Sequence, residues 1–254
     1  MSDVRIQLHP EALREAVDEV SMEGYWHFTA RNLFYALVRS GAIAEPKGDG
    51  AGEYACFADQ LGAYESEHGA LSKLIRPEFL ERTFSSDPLS DDLLTYAVKR
   101  VMIFERPELM LLFARNHFFM KLECILLAAT GVPNHVQDRV QAQLNAGMPM
   151  DFFVIHDATV AGYALYDRIV GEYSAGESNT VQQTAITFDQ VHEIATIRTT
   201  GTVRTDVHLK HSHAEDAAYL AGGHYIHLEE IPPLILMRMV YNRTVGRFDE
   251  VGFG

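Results

Sequence analysis

The chain has 254 residues, 47% of them hydrophobic and 22% charged, with a formal net charge of −14 at pH 7. This is the composition of a folded protein with room for one large domain or two ordinary ones; it excludes a disordered chain, and no apolar run approaches the length of a membrane span. The charge excludes attraction to a polyanion by the molecule as a whole, because the parts before and after residue 100 are both net acidic, so a nucleic acid would need a local basic face or a partner that supplies one.

Met1-Ser-Asp-Val-Arg-Ile lacks the apolar core of a signal peptide, so the cytoplasm is the expected compartment. Cys56 and Cys124 both sit among apolar residues and read as buried free thiols rather than a disulfide. The first element is a helix opened by Pro10, with acidic residues in its early turns. A second helix is capped by Thr29, runs from Ala30 and ends at Gly41, with Leu33, Phe34 or Tyr35, Leu37 and Val38 at helical spacing. Ala44 to Glu53 is a Gly- and Pro-rich loop, and Tyr54 to Ser72 returns to helical periodicity. A break at Ser85 to Asp91 leads, through a helix opened by Pro88 or Ser90, into the central segment, which places a domain boundary near residue 95.

That segment holds three short apolar runs: Val101 to Phe104 stops at Glu105, Cys124 to Thr130 stops at Gly131, and Phe152 to His156 stops at Asp157. Runs this short read as strands buried on both faces. The intervening stretches Pro107 to Lys121 and Asn134 to Ala146 have helical length, and Ala161 to Val170 continues the alternation. Strand and helix in turn imply parallel strands with right-handed crossovers, whose chemistry gathers at the carboxyl ends, where Glu105 and Asp157 fall. The two are therefore expected to approach one another at one edge of one sheet. Arg106 and Arg115 are candidates to meet a phosphate or to pair with surface acids such as Glu108. Further on, Ile194 to Arg198 reads as a strand and Leu234 to Tyr241 as a buried helix. Five of the 12 histidines, His208, His211, His213, His224 and His227, lie close together in sequence and are candidates for a transition-metal site, although surface or packing roles are the commoner outcome.

A strand ending in Glu, one ending in Gly and one ending in Asp-x-Asp-x-x-Gly resembles the Toprim domain of topoisomerases, bacterial primases and some nucleases. Here the last motif is Asp157-Ala-Thr159-Val-Ala-Gly162, with Thr159 in place of the second aspartate. The segment from Cys124 to Val140 is similar to the Gly-x-Pro segment of the topoisomerase VI A subunit and the related meiotic double-strand-break protein. Thr29-Ala-Arg31-Asn-Leu-Phe-Tyr35 resembles the winged-helix motif of the same family, whose final tyrosine attacks a DNA phosphodiester. The resemblance implies an α/β protein with a helical, winged-helix-like domain over 1–95 and a Toprim-like domain over 96–254. It implies metal-assisted DNA strand breakage, with Tyr35 as nucleophile and Glu105 and Asp157 as acid/base residues. Glu105, Asp157 and Thr159 would hold Mg²⁺, and the chain would act as a homodimer with a separate ATPase subunit. A DNA-bound role also requires Arg31, Arg39 and neighbouring basic residues to form a local positive face. Two other classes remain open. One is a non-catalytic assembly or regulatory protein with a degenerate Toprim site, as Thr159 and the acidic charge suggest. The other is a histidine-bound metal enzyme unrelated to DNA.

Overall fold

The computed structural model describes residues 6, 8–48, 50–76, 99–118, 124–130, 134–174, 179–184, 198–199, 209–211 and 214–244. The domain boundary near residue 95, the helix start at Pro88 or Ser90, Gly131, His208 and His213 lie outside them.

The first helix, α1 (Pro10–Ser21), has its proline in the first turn, where a missing N–H costs nothing, and stops where Met22 turns left-handed at φ 46°. Helix α2 (Ala30–Arg39) begins with a capping box: the Thr29 hydroxyl accepts from the Asn32 amide at 3.1 Å, and the Asn32 side chain accepts from the Thr29 amide at 3.0 Å. Helix α3 (Ala51–His68) starts and ends a few residues earlier than its periodicity predicts; Gly69, at φ 92°, stops it before Ser72. These helices bury one shared core of Leu13, Val20, Phe28, Leu33, Phe34, Leu37, Phe57 and Leu61.

Four parallel strands follow, β1 (Arg100–Phe104), β2 (Cys124–Ala128), β3 (Asp151–Ile155) and β4 (Thr180–Gln183), in the order β2-β1-β3-β4. Successive side chains of a strand point to opposite faces. Met102, Phe104, Phe153 and Ile155 therefore join one core with helices α4 (Pro107–Arg115) and α8 (Pro233–Thr244). Val101, Ile103, Phe152 and Val154 join another with α5 (Asn134–Asn145) and α6 (Val160–Tyr173). Apolar layers on both faces explain why β1 and β3 are unbroken apolar runs.

The chain is thus α/β, with helices flanking a parallel sheet. Helix α4 ends at Arg115 rather than Lys121, and β4, half exposed and polar (Thr-Val-Gln-Gln), carries no apolar run to announce it. Of the strand expected over Ile194 to Arg198, only Arg198 lies among the described residues; as β5 (Arg198–Thr199) it pairs antiparallel with β6 (His224–Tyr225). Between α7 (Ala214–Ala221) and α8, residues Leu228–Glu230 form a 3₁₀ turn. Helix α2 packs on that turn: the Asn32 side chain donates to the carbonyls of Glu229 (3.0 Å) and Ile231 (3.4 Å), and Arg39 donates to that of Glu230 (2.6 Å).

Candidate functional site

Strands β1 and β3 are neighbours in register, with Phe104 opposite Ile155, so the residues just past their carboxyl ends meet. The Glu105 amide donates to the Ile155 carbonyl at 2.9 Å, and the Asp157 amide donates to Glu105 Oε2 at 2.8 Å. Gly162 permits this approach. A Cβ there would sit 2.2 Å from the Asp157 carbonyl oxygen, 2.7 Å from His156 Nδ1 and 3.1 Å from Glu105 Oε2. The first turn of α6 comes so close to the strand end that no side chain fits.

The C-terminal segment reaches the same place through a two-bond bridge, in which the Ala158 and Ile226 amides donate to one another's carbonyls at 3.0 and 3.1 Å. This sets His227 and Leu228–Glu230 over Asp157. Asp157 Oδ1 accepts from Arg106 Nη2 and from the Leu228 amide, both at 2.9 Å, and Oδ2 pairs with His227 Nδ1 at 2.7 Å. Arg106 Nη2 also pairs with Glu229 Oε2. Glu229 is buried, and among the described residues its Oε1 has no hydrogen-bond partner. Arg106 therefore pairs with two acids of the site itself and not with Glu108.

These contacts set the protonation states. Burial, then the charge of Asp157, pushes Glu105 up to about 7; the hydrogen bond from the Asp157 amide and the Arg106 charge oppose the rise. Burial alone would raise Asp157, but Arg106, His227 and the Leu228 amide outweigh it and hold Asp157 well below the usual carboxylate range. Burial raises Glu229, against the pull of Arg106. His156, fully buried between Tyr163 and Tyr166, is lowered to about 4 by burial and is neutral at pH 7.

Tyr35 comes to this cluster within the same chain. Its ring lies 6.0 Å from that of His227, which holds Asp157, and the Arg198 guanidinium stands 5.2 Å from the Tyr35 ring centre. Only 2% of Tyr35 is exposed. Burial and then Glu230 push its phenol far above its ordinary value, while Arg31 and Arg198 pull the other way.

Thr159 does not join the carboxylates through its hydroxyl, which accepts from the Gly162 amide at 3.0 Å and caps α6. Of the two arginines expected to form a positive face, Arg39 is tied to Glu19 and to the Glu230 carbonyl. Arg31 lies over the Tyr54 ring at 4.1 Å and lines a pocket of about 300 Å³ with Thr159, Val160, His224, Tyr225 and His227.

A magnesium ion needs oxygen lone pairs left open to it. Both Asp157 oxygens, the Thr159 hydroxyl and one Glu105 oxygen already accept bonds from the protein. As arranged, this donor set does not fit the ion. Among the described residues no three His, Cys, Asp or Glu side chains are grouped to hold a metal; of the histidine cluster these include His211, His224 and His227.

Sequence reasoning did not identify Glu229 as a site residue and gave His227 only as a metal candidate. Neither lies near Asp157 in sequence, and no motif joins them to it. Compared with known protein families, curated proteins and solved structures, the chain matches none.

Proposed function

We propose that the chain is a DNA strand-breaking subunit of the topoisomerase VI A type. In this reading a winged-helix-like N-terminal part presents Tyr35 and a Toprim-like sheet domain presents Glu105 and Asp157. The chain works as a homodimer with a separate ATPase subunit. One observation carries the reading: three residues singled out by two separate motifs converge on one cluster, with Glu105 bonded to Asp157 at 2.8 Å and Tyr35 6.0 Å from the histidine that holds Asp157.

In the reaction the Tyr35 oxygen bonds to phosphorus while a phosphorus–oxygen bond to deoxyribose breaks. The phenol gives up its proton, and the departing oxygen gains one. A carboxyl group near pKa 7 is suited to take up or release a proton at neutral pH, which is the role given to Glu105. Asp157, ionised throughout, holds Arg106 and His227 in place. Arg31 and Arg198, which favour the phenolate against the larger opposing effect of burial, are the cations assigned to the attacking oxygen. Because Tyr35 is covered, a DNA phosphate reaches it only if residues over its ring, among them His227 and Arg198, move aside.

A second reading, a non-catalytic assembly protein that retains the scaffold, is favoured by the covered Tyr35 and by the Thr159 hydroxyl being used to cap α6. The test is incubation with supercoiled plasmid, followed by denaturation and separation of protein-linked from free DNA. Strand-breaking predicts a covalent adduct that Tyr35→Phe abolishes. Breakage that persists in Tyr35→Phe rules out the tyrosine mechanism, and a wild type that never links to DNA favours the assembly role.

A further inference from the structure

We infer that the Arg106 guanidinium is the resident cation of this site, standing where a metal-dependent relative would hold a divalent ion, and that the native chain takes up none there. Three acids surround Arg106. Its Nη2 pairs with Asp157 Oδ1 at 2.9 Å and with Glu229 Oε2, and Glu105 is joined to Asp157 through the Asp157 amide. Asp157 and Glu229 are 3% and 1% exposed, so their charges are compensated by the protein and not by water. A cation held this way is placed by the backbone at the end of β1. It cannot be removed by a chelator, and a divalent ion would have to expel it.

Thr159 belongs to the same exchange. With a full negative charge in its place the cluster would carry one acid more for the single guanidinium of Arg106 to balance. A neutral hydroxyl adds no charge to the cluster and is free to cap α6. Arginine suits the position because the two N–H groups of its Nη2 serve two carboxylates at once and because a guanidinium stays charged when buried, whereas the carboxylates around it shift.

The inference deepens the strand-breaking reading, to which it adds that breakage is independent of metal. Its primary test is made without DNA, so the two fail separately. Manganese(II) uptake by the full-length chain, followed by electron paramagnetic resonance, is compared for wild type, Arg106→Gln and Asp157→Asn. The expected result is no protein-bound manganese in the wild type and a bound ion in Arg106→Gln, with affinity higher by at least about tenfold. Uptake by the wild type that Asp157→Asn abolishes overturns the inference, as does a folded Arg106→Gln that binds none. Should Arg106→Gln fail to fold, the wild type and Asp157→Asn decide alone: no uptake in either supports it. If the wild type forms the DNA adduct, the adduct should persist in EDTA. An adduct that requires magnesium overturns the inference and leaves the strand-breaking reading standing, whereas absence of any adduct falls on that reading alone.

Discussion

Glu105 shows how much a single position can be set by its surroundings. It ends an apolar strand, receives an amide hydrogen bond from Asp157, and is raised to about 7 by burial and by the neighbouring negative charge. A carboxyl whose folded pKa lies above its unfolded value adds stability that is fully present below the ordinary carboxylate range and is lost as pH rises through the folded value. The window here runs from about 4.5 up to about 7, and each whole step in pKa between the folded and unfolded chain corresponds to about 1.4 kcal/mol. Asp157 has the opposite sign: its depressed pKa adds stability above the ordinary range that disappears as pH falls. Glu105→Gln keeps the oxygen that accepts from the Asp157 amide and cannot ionise. The melting temperature of the variant should therefore fall less than that of the wild type between pH 5 and pH 8. Parallel profiles for the two proteins would contradict the raised pKa.

At the scale of elements, the join between α2 and the 3₁₀ turn matters most. Asn32 has two roles in it: its oxygen completes the capping box of α2, and its amide holds the carbonyls of Glu229 and Ile231. The residue is 1% exposed, so its removal leaves buried groups unpaired. Asn32→Ala should cost about 2–3 kcal/mol, from a buried hydrogen-bond group and part of a cap, measured by chemical denaturation. The turn carries Glu229 toward Arg106, so amide exchange in residues 228–231 should also quicken. A loss below about 0.5 kcal/mol would mean that the join is made by packing alone. Strands β1 and β3 are held differently: Phe104 and Phe152 are fully buried on opposite faces, each worth about 1.5–3 kcal/mol.

For the whole molecule, the strand-breaking proposal turns on whether the tyrosine beside the carboxylates comes from the same chain. Tyr35 meets His227 and Asp157 of its own chain. If this arrangement is the working one, Tyr35→Phe and Glu105→Gln chains, each inactive, should stay inactive when mixed and refolded together. Recovery of about a quarter to a half of the adduct would mean that the tyrosine is supplied across a dimer. The net charge of −14 also acts at this scale. DNA binding, where it occurs, must run through a local face such as the Arg31 pocket and should weaken steeply with salt.

The parallel strands ending at Phe104 and Ile155 were legible in the sequence because burial on both faces demands an uninterrupted apolar run, and an acid directly after such a run marks the sheet edge where Glu105 and Asp157 meet. Thr29 was legible as a cap because its oxygen acts on an amide three residues away. Local chemistry of this kind needs no tertiary information. Strand β4 was not legible: a half-exposed edge strand is specified by its pairing with β3 and not by its own composition. Nor could sequence tell that Arg106 pairs with Asp157 and Glu229, that His227 closes on Asp157, or that Thr159 spends its hydroxyl on α6. Those contacts span up to 123 positions, and their partners are chosen by where the 224–231 segment meets the chain just past β3, a choice that only the packed chain makes.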